Sequence, residues 1–204
     1  MTEPFEIRVP EAVLEDLHER LARARVPDSL PGYGWEQGTE AGYLREVLDY
    51  WRQGYDWRKH EQVLNRMAHF RAGPAGGRIH FIHQRAADPG AKPLLLIHGW
   101  PGSVFEFYKL IPRLTHPERH GGRAEDGLHV VAPSLPGYGF SDAPREPGFT
   151  PRRVGRVLHQ LMHDTLGYRD YVVQGGDWGA VIGSWIAHDF GPACAGLHLN
   201  MVGL

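Results

Sequence analysis

The sequence is more easily read first by what it is short of. Cys194 is the only cysteine in 204 residues, so no internal disulfide can form. Set in an apolar stretch, its thiol is expected to be buried and inert. No apolar run approaches the roughly 18 residues that a membrane helix needs. The opening decapeptide MTEPFEIRVP carries an acid early and no apolar block, unlike a secretory leader. A formal charge of −2 supplies no general attraction to nucleic acid or to anionic lipid. Only 3 of the 22 basic residues are lysine, and the arginines are scattered, which marks sequence bias rather than a basic face. No internal repeat or low-complexity segment interrupts the chain. With 42% hydrophobic and 23% charged residues, what remains is an ordinary globular composition with enough apolar mass for a core. A cytoplasmic protein with no membrane anchor and no nucleic-acid partner is expected.

The periodicity divides the chain near residue 66. Residues 10–26 predict an amphipathic helix, with Pro10 at its first position and Val13, Leu14, Leu17, Leu21 and Ala24 on one face. After the proline- and glycine-rich VPDSLPGYGWEQGT, a second helix is expected over 40–52, striped by Tyr43, Leu44, Val47, Leu48 and Trp51, and a third over 56–66. No strand is predicted before about residue 67, so 1–66 reads as a helical extension and 67–204 as a second region. Most tryptophans other than Trp100 are expected in the core.

From there the pattern alternates. AHFRAGPAGGRIHFIHQRA predicts two strands around a glycine-rich turn, with Ile79 and Phe81 on one face. PLLLIHG is a continuous apolar run, as in a strand buried on both faces. Ser103 is placed to cap a helix striped by Val104, Phe107, Tyr108 and Ile111 and interrupted near Pro112. LHVVAPS, DYVVQGG and AGLHLNMV are further strands. Thr150 and Pro151 open a helix that points Val154, Val157, Leu158, Leu161 and Thr165 inward and stops at Gly167, and another covers 178–190. Strands alternating with helices of this length predict an α/β protein with a mostly parallel sheet. Its last apolar strand would leave an exposed sheet edge, so the sequence reads as cut short.

The chemistry concentrates in QGGDWGA. Gly175-Gly176-Asp177-Trp178-Gly179 has the strand–turn–helix pattern of a nucleophile elbow, with aspartate where serine is usual. Glycines two residues before and after the central position let strand and helix approach closely. The helix N-terminus behind it favours negative charge. A serine must lose a proton to attack, whereas a carboxylate with an ordinary pKa of about 3.9 is already ionised at neutral pH. It suits displacement at a saturated carbon, which leaves an alkyl ester. Water attacking that ester develops an oxyanion, which calls for backbone donors. The Trp178 N–H is one candidate, and the Trp100 N–H, in HGWPGS after the third strand, is the second. A Gly-x-Asp-x-Gly turn with no chemistry is the plain alternative, and the upstream HGWPGS weighs against it.

Together, HGWPGS (His98 to Ser103), PSLPGYGFS (Pro133 to Ser141) and QGGDWGA resemble the α/β-hydrolase-fold epoxide hydrolases of the microsomal type. RLARARVPDSLPGYGW and YWRQGYDWRKHEQVLN resemble that family's N-terminal helical extension, so the likeness runs along the whole chain. The resemblance implies a sheet order of 1-2-4-3-5-6, Asp177 as nucleophile, Trp100 and Trp178 as oxyanion-hole amides, an epoxide substrate opened to a vicinal diol, and no metal or organic cofactor. His98, Trp100, Pro101 and Trp178 are expected around the substrate. Members of that family continue past the sixth strand into a lid with two tyrosines, then an acid and a histidine base. None has a counterpart in these 204 residues, which implies dependence on a C-terminal half.

Other residues are read structurally. His98 is a loop-shaping residue, His159 and His163 a surface pair without metal, and Tyr138 and Phe140 loop packing. His188 and His198 fall on the helix and strand just after Asp177 and do not match the family's base. Two alternatives stay open: a haloalkane dehalogenase-like hydrolase, which uses the same Asp-Trp elbow, and a non-catalytic truncated chain.

Overall fold

A computed structural model describes residues 1–73 and 77–202. The chain divides into two compact units, one of Met1–Glu6 with Leu64–Leu204 and one of Ile7–Val63. The turn residues 74–76, expected between the first two strands of the second region, lie outside the described residues.

The larger unit is built on a sheet of seven strands among the described residues. They are β1 (Thr2–Pro4), β2 (His69–Ala72), β3 (Ile79–Gln84), β4 (Pro93–Ile97), β5 (His129–Pro133), β6 (Tyr171–Gly175) and β7 (Cys194–Leu199), ordered β1-β2-β3-β5-β4-β6-β7. Counted from β2, the order is the expected 1-2-4-3-5-6. Two expectations need correction. First, a strand does precede residue 67: β1 pairs antiparallel with β2, Glu3 opposite Arg71. Residues 1–6 therefore join the sheet rather than the helical unit, and the boundary expected at 66/67 is not where the compact units part. Three residues with no apolar alternation carry no sequence signal for a strand, and the pairing edge of β2 supplies it.

Second, the sheet is mixed rather than mostly parallel. β1–β2, β2–β3 and β3–β5 run antiparallel, while β5–β4, β4–β6 and β6–β7 run parallel. The parallel half is the part whose strands are joined by helical crossovers, which return the chain in the same direction.

Both faces of the central strands are buried. In β4, Leu95 and Ile97 face one apolar cluster while Leu94 and Leu96 face the other, as the twofold pleat requires. On the first face α5 (Pro151–Gln160) and α6 (Trp178–Asp189) contribute Val157, Leu158, Ile182 and Ile186. On the second lie Val104 and Phe107 of a 3₁₀ turn and Ile111 of the short helix α4 (Ile111–Thr115). Each of these fully buried aliphatic side chains contributes roughly 1.5–3 kcal/mol, so the central strands are the stable frame on which the loops hang. Thr150 caps α5 as expected, accepting from the Arg153 N–H at 3.4 Å. Pro112 lies within the first turn of α4, where its missing N–H costs nothing, and so opens a helix instead of interrupting one.

The helical unit holds α1 (Glu11–Ala22), α2 (Ala41–Gln53) and α3 (Trp57–Leu64). Pro10 is the residue before α1 rather than its first, and the helix ends four residues short of 26. A buried carboxylate ties this unit together. Glu61 accepts from the Val9 N–H at 2.7 Å, the Trp57 indole at 3.1 Å and Arg58 at 2.8 Å. Burial raises its pKa, but these donors outweigh burial and hold it below the ordinary carboxylate range. The expected apolar stripes are only partly covered: Val13, Tyr43, Val47 and Trp51 are exposed, as is Trp35, against the expectation of core tryptophans.

Cys194 is half-buried, and burial raises its thiol pKa, in keeping with an inert group. Among the described residues no helix is long and apolar enough to cross a membrane.

Candidate active site

The parallel half of the sheet brings QGGDWGA and HGWPGS side by side, because β4 and β6 are neighbours and Ile97 pairs with Gly175. Both loops leave the same ends of adjacent strands. The sheet thus sets Asp177 against Trp100, 77 residues apart in sequence.

Asp177 sits between β6 and α6 with φ 50° and ψ −125°, the one described non-glycine residue at positive φ. Such a conformation costs a residue bearing a Cβ about 1–3 kcal/mol and persists only where the surroundings fix it. They do so by close approach. A Cβ on Gly175 would run into the carbonyl of Gly179, and one on Gly179 into the carbonyl of Ile97. Gly99 is equally constrained, since its Cβ would lie 2.6 Å from Asp177 Oδ1. The glycines expected to let strand and helix close together are those whose contacts leave no room for a side chain.

The carboxylate is exposed, and its Oδ1 accepts from the Trp100 N–H at 2.7 Å. That bond, with the Trp178 N–H second, holds the Asp177 carboxyl below its ordinary range, against a small opposing effect of burial. Both amides expected to stabilise an oxyanion therefore already act on this carboxylate. Trp100 and Trp178 are 67% and 45% exposed, so neither belongs to the core.

His98 lies beneath the loop, almost wholly buried. Its Nε2 accepts from the Leu135 N–H at 3.0 Å and its Nδ1 bonds the Gly99 carbonyl at 2.9 Å. Desolvation lowers its pKa, while the Gly99 carbonyl and Glu106 pull weakly the other way. With both ring nitrogens engaged, His98 has none free to take a proton from water.

An apolar cleft adjoins the turn, lined among others by Trp178, Tyr138, Phe149, Val154 and Ile182. Of the four residues expected around a substrate, Trp178 lines it. Trp100 and Pro101 stand exposed at the loop, joined by a cis peptide bond, and His98 is buried below. Phe149 was not singled out in the sequence, and Val154 and Tyr138 were read as packing; no spacing rule marks a residue that borders a cleft. His159 and His163 are half-buried rather than on the surface. The His159 ring stacks on Phe190 at 3.8 Å and bonds the Tyr171 hydroxyl, which occupies it structurally. Among the described residues no group of three or more His, Cys, Asp or Glu could hold a metal ion.

Residues 2–107 match the family model described as epoxide hydrolase N terminus, and residues 92–202 match the alpha/beta hydrolase fold. The chain belongs to the epoxide hydrolase N-terminus family. Within that family it is 42% identical over 202 residues to epoxide hydrolase 1 of Oryctolagus cuniculus, covering 97% of this chain and 44% of the relative. The crystal structure of juvenile hormone epoxide hydrolase from the silkworm Bombyx mori superimposes with a TM-score of 0.87 at 42% identity, covering 98% of this chain and 53% of that one. The Aspergillus niger epoxide hydrolase gives 0.88 at 32% identity, covering 100% and 53%. The chain spans less than half the length of the curated relatives it matches. The α/β-hydrolase fold expected from the sequence is thereby established, with the added strand β1 and the mixed sheet as its departures.

Proposed function

We propose that this chain carries the ester-forming half of an epoxide hydrolase. A carboxylate oxygen of Asp177 attacks an epoxide carbon, the ring C–O bond breaks, and the freed oxygen takes a proton to become a hydroxyl. The product is a hydroxyalkyl ester on Asp177. Water then adds to the ester carbonyl, negative charge collects on Oδ1, and the Trp100 and Trp178 amides are already aimed at that carboxyl. Collapse releases the diol and restores the carboxylate. No step calls for a metal or organic cofactor.

The observation that carries this reading is the bond of 2.7 Å from the Trp100 N–H to Oδ1 of an exposed, strained aspartate at a helix start. Each feature costs stability or is unneeded in a plain turn. Proton donation to the opening ring and activation of water are assigned to groups in a C-terminal half, in keeping with the share of its relatives that this chain spans.

The test is intact-mass and peptide mapping of the purified chain after incubation with styrene oxide at pH 7. One epoxide should add per chain, on Asp177, slowly and without sustained diol release, and Asp177→Asn should stay unmodified. Adduct on other residues only, or sustained turnover by the 204-residue chain, would overturn the assignment. Ester formation with a bromoalkane but not with styrene oxide would favour the dehalogenase-like alternative.

A further inference from the structure

We propose that His98 is a positioning residue, whose ring, fixed in one tautomer between Leu135 and Gly99, sets the peptide plane that presents the Trp100 N–H to Asp177. The proposal rests on the reading of Asp177 given above.

The tautomer follows from the partners alone. A backbone amide can only donate, so Nε2, 3.0 Å from the Leu135 nitrogen, carries the lone pair. The ring proton is then on Nδ1, and the partner there, the Gly99 carbonyl at 2.9 Å, can only accept. The two assignments agree, and neither nitrogen is left over. Desolvation keeps the ring neutral, as this arrangement requires.

The Gly99 carbonyl and the Trp100 N–H are the two ends of one planar peptide unit. One end is held by His98 Nδ1–H and the other reaches Asp177 Oδ1 at 2.7 Å. Rotation of that plane would swing the N–H away from the carboxylate. The residue before it has to be glycine, because a Cβ there would strike Asp177, and glycine restrains the backbone least. The imidazole supplies the restraint that a side chain at 99 cannot, and the Gly102 N–H adds a second hold on the same carbonyl at 3.0 Å. A bond to the carbonyl also polarises the amide and strengthens it as a donor.

Two conservative variants separate positioning from bulk packing. The carboxamide nitrogen of His98→Asn reaches where Nδ1 lies and can still donate to Gly99. The carboxamide oxygen of His98→Gln reaches where Nε2 lies and can accept from Leu135 but gives up the side-chain bond to the Gly99 carbonyl, leaving only the Gly102 N–H on it. Each loses one buried bond, so melting temperature should fall in both. The Asp177 carboxyl pKa, followed by carbon NMR in unmodified protein, should rise toward the ordinary range in His98→Gln and stay near wild type in His98→Asn. Breakdown of the styrene oxide ester by hydroxide should slow about tenfold in His98→Gln, a fraction of the roughly 10²–10³ lost with a whole oxyanion donor. In His98→Asn it should change less than about twofold, on the same scale.

An unchanged Asp177 in His98→Gln, or equal shifts in both variants, overturns the proposal. Should neither variant fold, nitrogen NMR of the wild-type ring decides: a neutral Nδ1–H tautomer from pH 5 to 8 supports it, and an Nε2–H tautomer or a titrating ring refutes it. Failure of both styrene oxide and a bromoalkane to add would sink the assignment of Asp177 as nucleophile, while the carboxyl titration would still judge His98.

Discussion

Replacing Asp177 by glycine and by alanine isolates the strain at the turn. Both variants remove the carboxylate and its bond to Trp100, so that loss cancels between them. What differs is the backbone at φ 50°, ψ −125°. Alanine keeps a Cβ in a region that costs about 2 kcal/mol, within the range of 1–3 for such conformations. Glycine escapes that cost but orders a freer unfolded chain, at about 0.4–1 kcal/mol. The difference, about 1 kcal/mol, should favour Asp177→Gly. For a chain of this size it corresponds to a melting temperature about 3 °C higher than that of Asp177→Ala. Urea unfolding followed by tryptophan fluorescence, with thermal melts alongside, measures both. If alanine proves as stable as glycine, the turn is unstrained and its conformation needs no functional explanation.

Gly179→Ala should destabilise the larger unit, because the new Cβ would meet fixed backbone: Ile97 C at 2.8 Å and His98 O at 3.2 Å. Urea titration should show a loss of about 1–3 kcal/mol, typical of overpacking, and an unchanged midpoint would mean that α6 has slack against β4. Stability should also fall on mild acidification. Burial, with nearby positive groups, lowers His80 to about 3 and His83 to about 4 from an ordinary 6.5. Between those values the unfolded chain binds protons that the native rings refuse, so stability drops as pH falls. From pH 7 to pH 5 each histidine should remove about 2 kcal/mol, and equal unfolding midpoints at the two pH values would contradict burial of neutral rings.

The parts of the site legible in sequence were those set by local rules. Gly175 and Gly179 flank an aspartate between an apolar strand and an apolar helix, and each rule survives folding because the contacts are local or one strand away. Phe149 and Val154 show the other side. Val154 reads as packing by its spacing and Phe149 was not singled out at all, and only the path of the chain between β5 and α5 brings them to the cleft beside Trp178. β1 was invisible for a related reason, since Thr2–Pro4 has no pattern of its own and becomes a strand through the edge it meets. His98 was rightly placed in its loop, but its role turns on partners at Gly99 and Leu135, the latter 37 residues away.

The order of apolar and turn residues thus determined the alternation of strands and helices and the identity of the exposed carboxylate, because these follow from periodicity and glycine chemistry, whereas the six-strand order was implied only by the family resemblance. Tertiary structure alone supplied the bond of 2.7 Å that joins the Trp100 amide, a donor expected from the sequence, to Asp177, the partners of the two His98 ring nitrogens, and the antiparallel pairing of half the sheet. Each depends on atoms far apart in the chain coming within hydrogen-bonding distance, and no local pattern encodes such a distance.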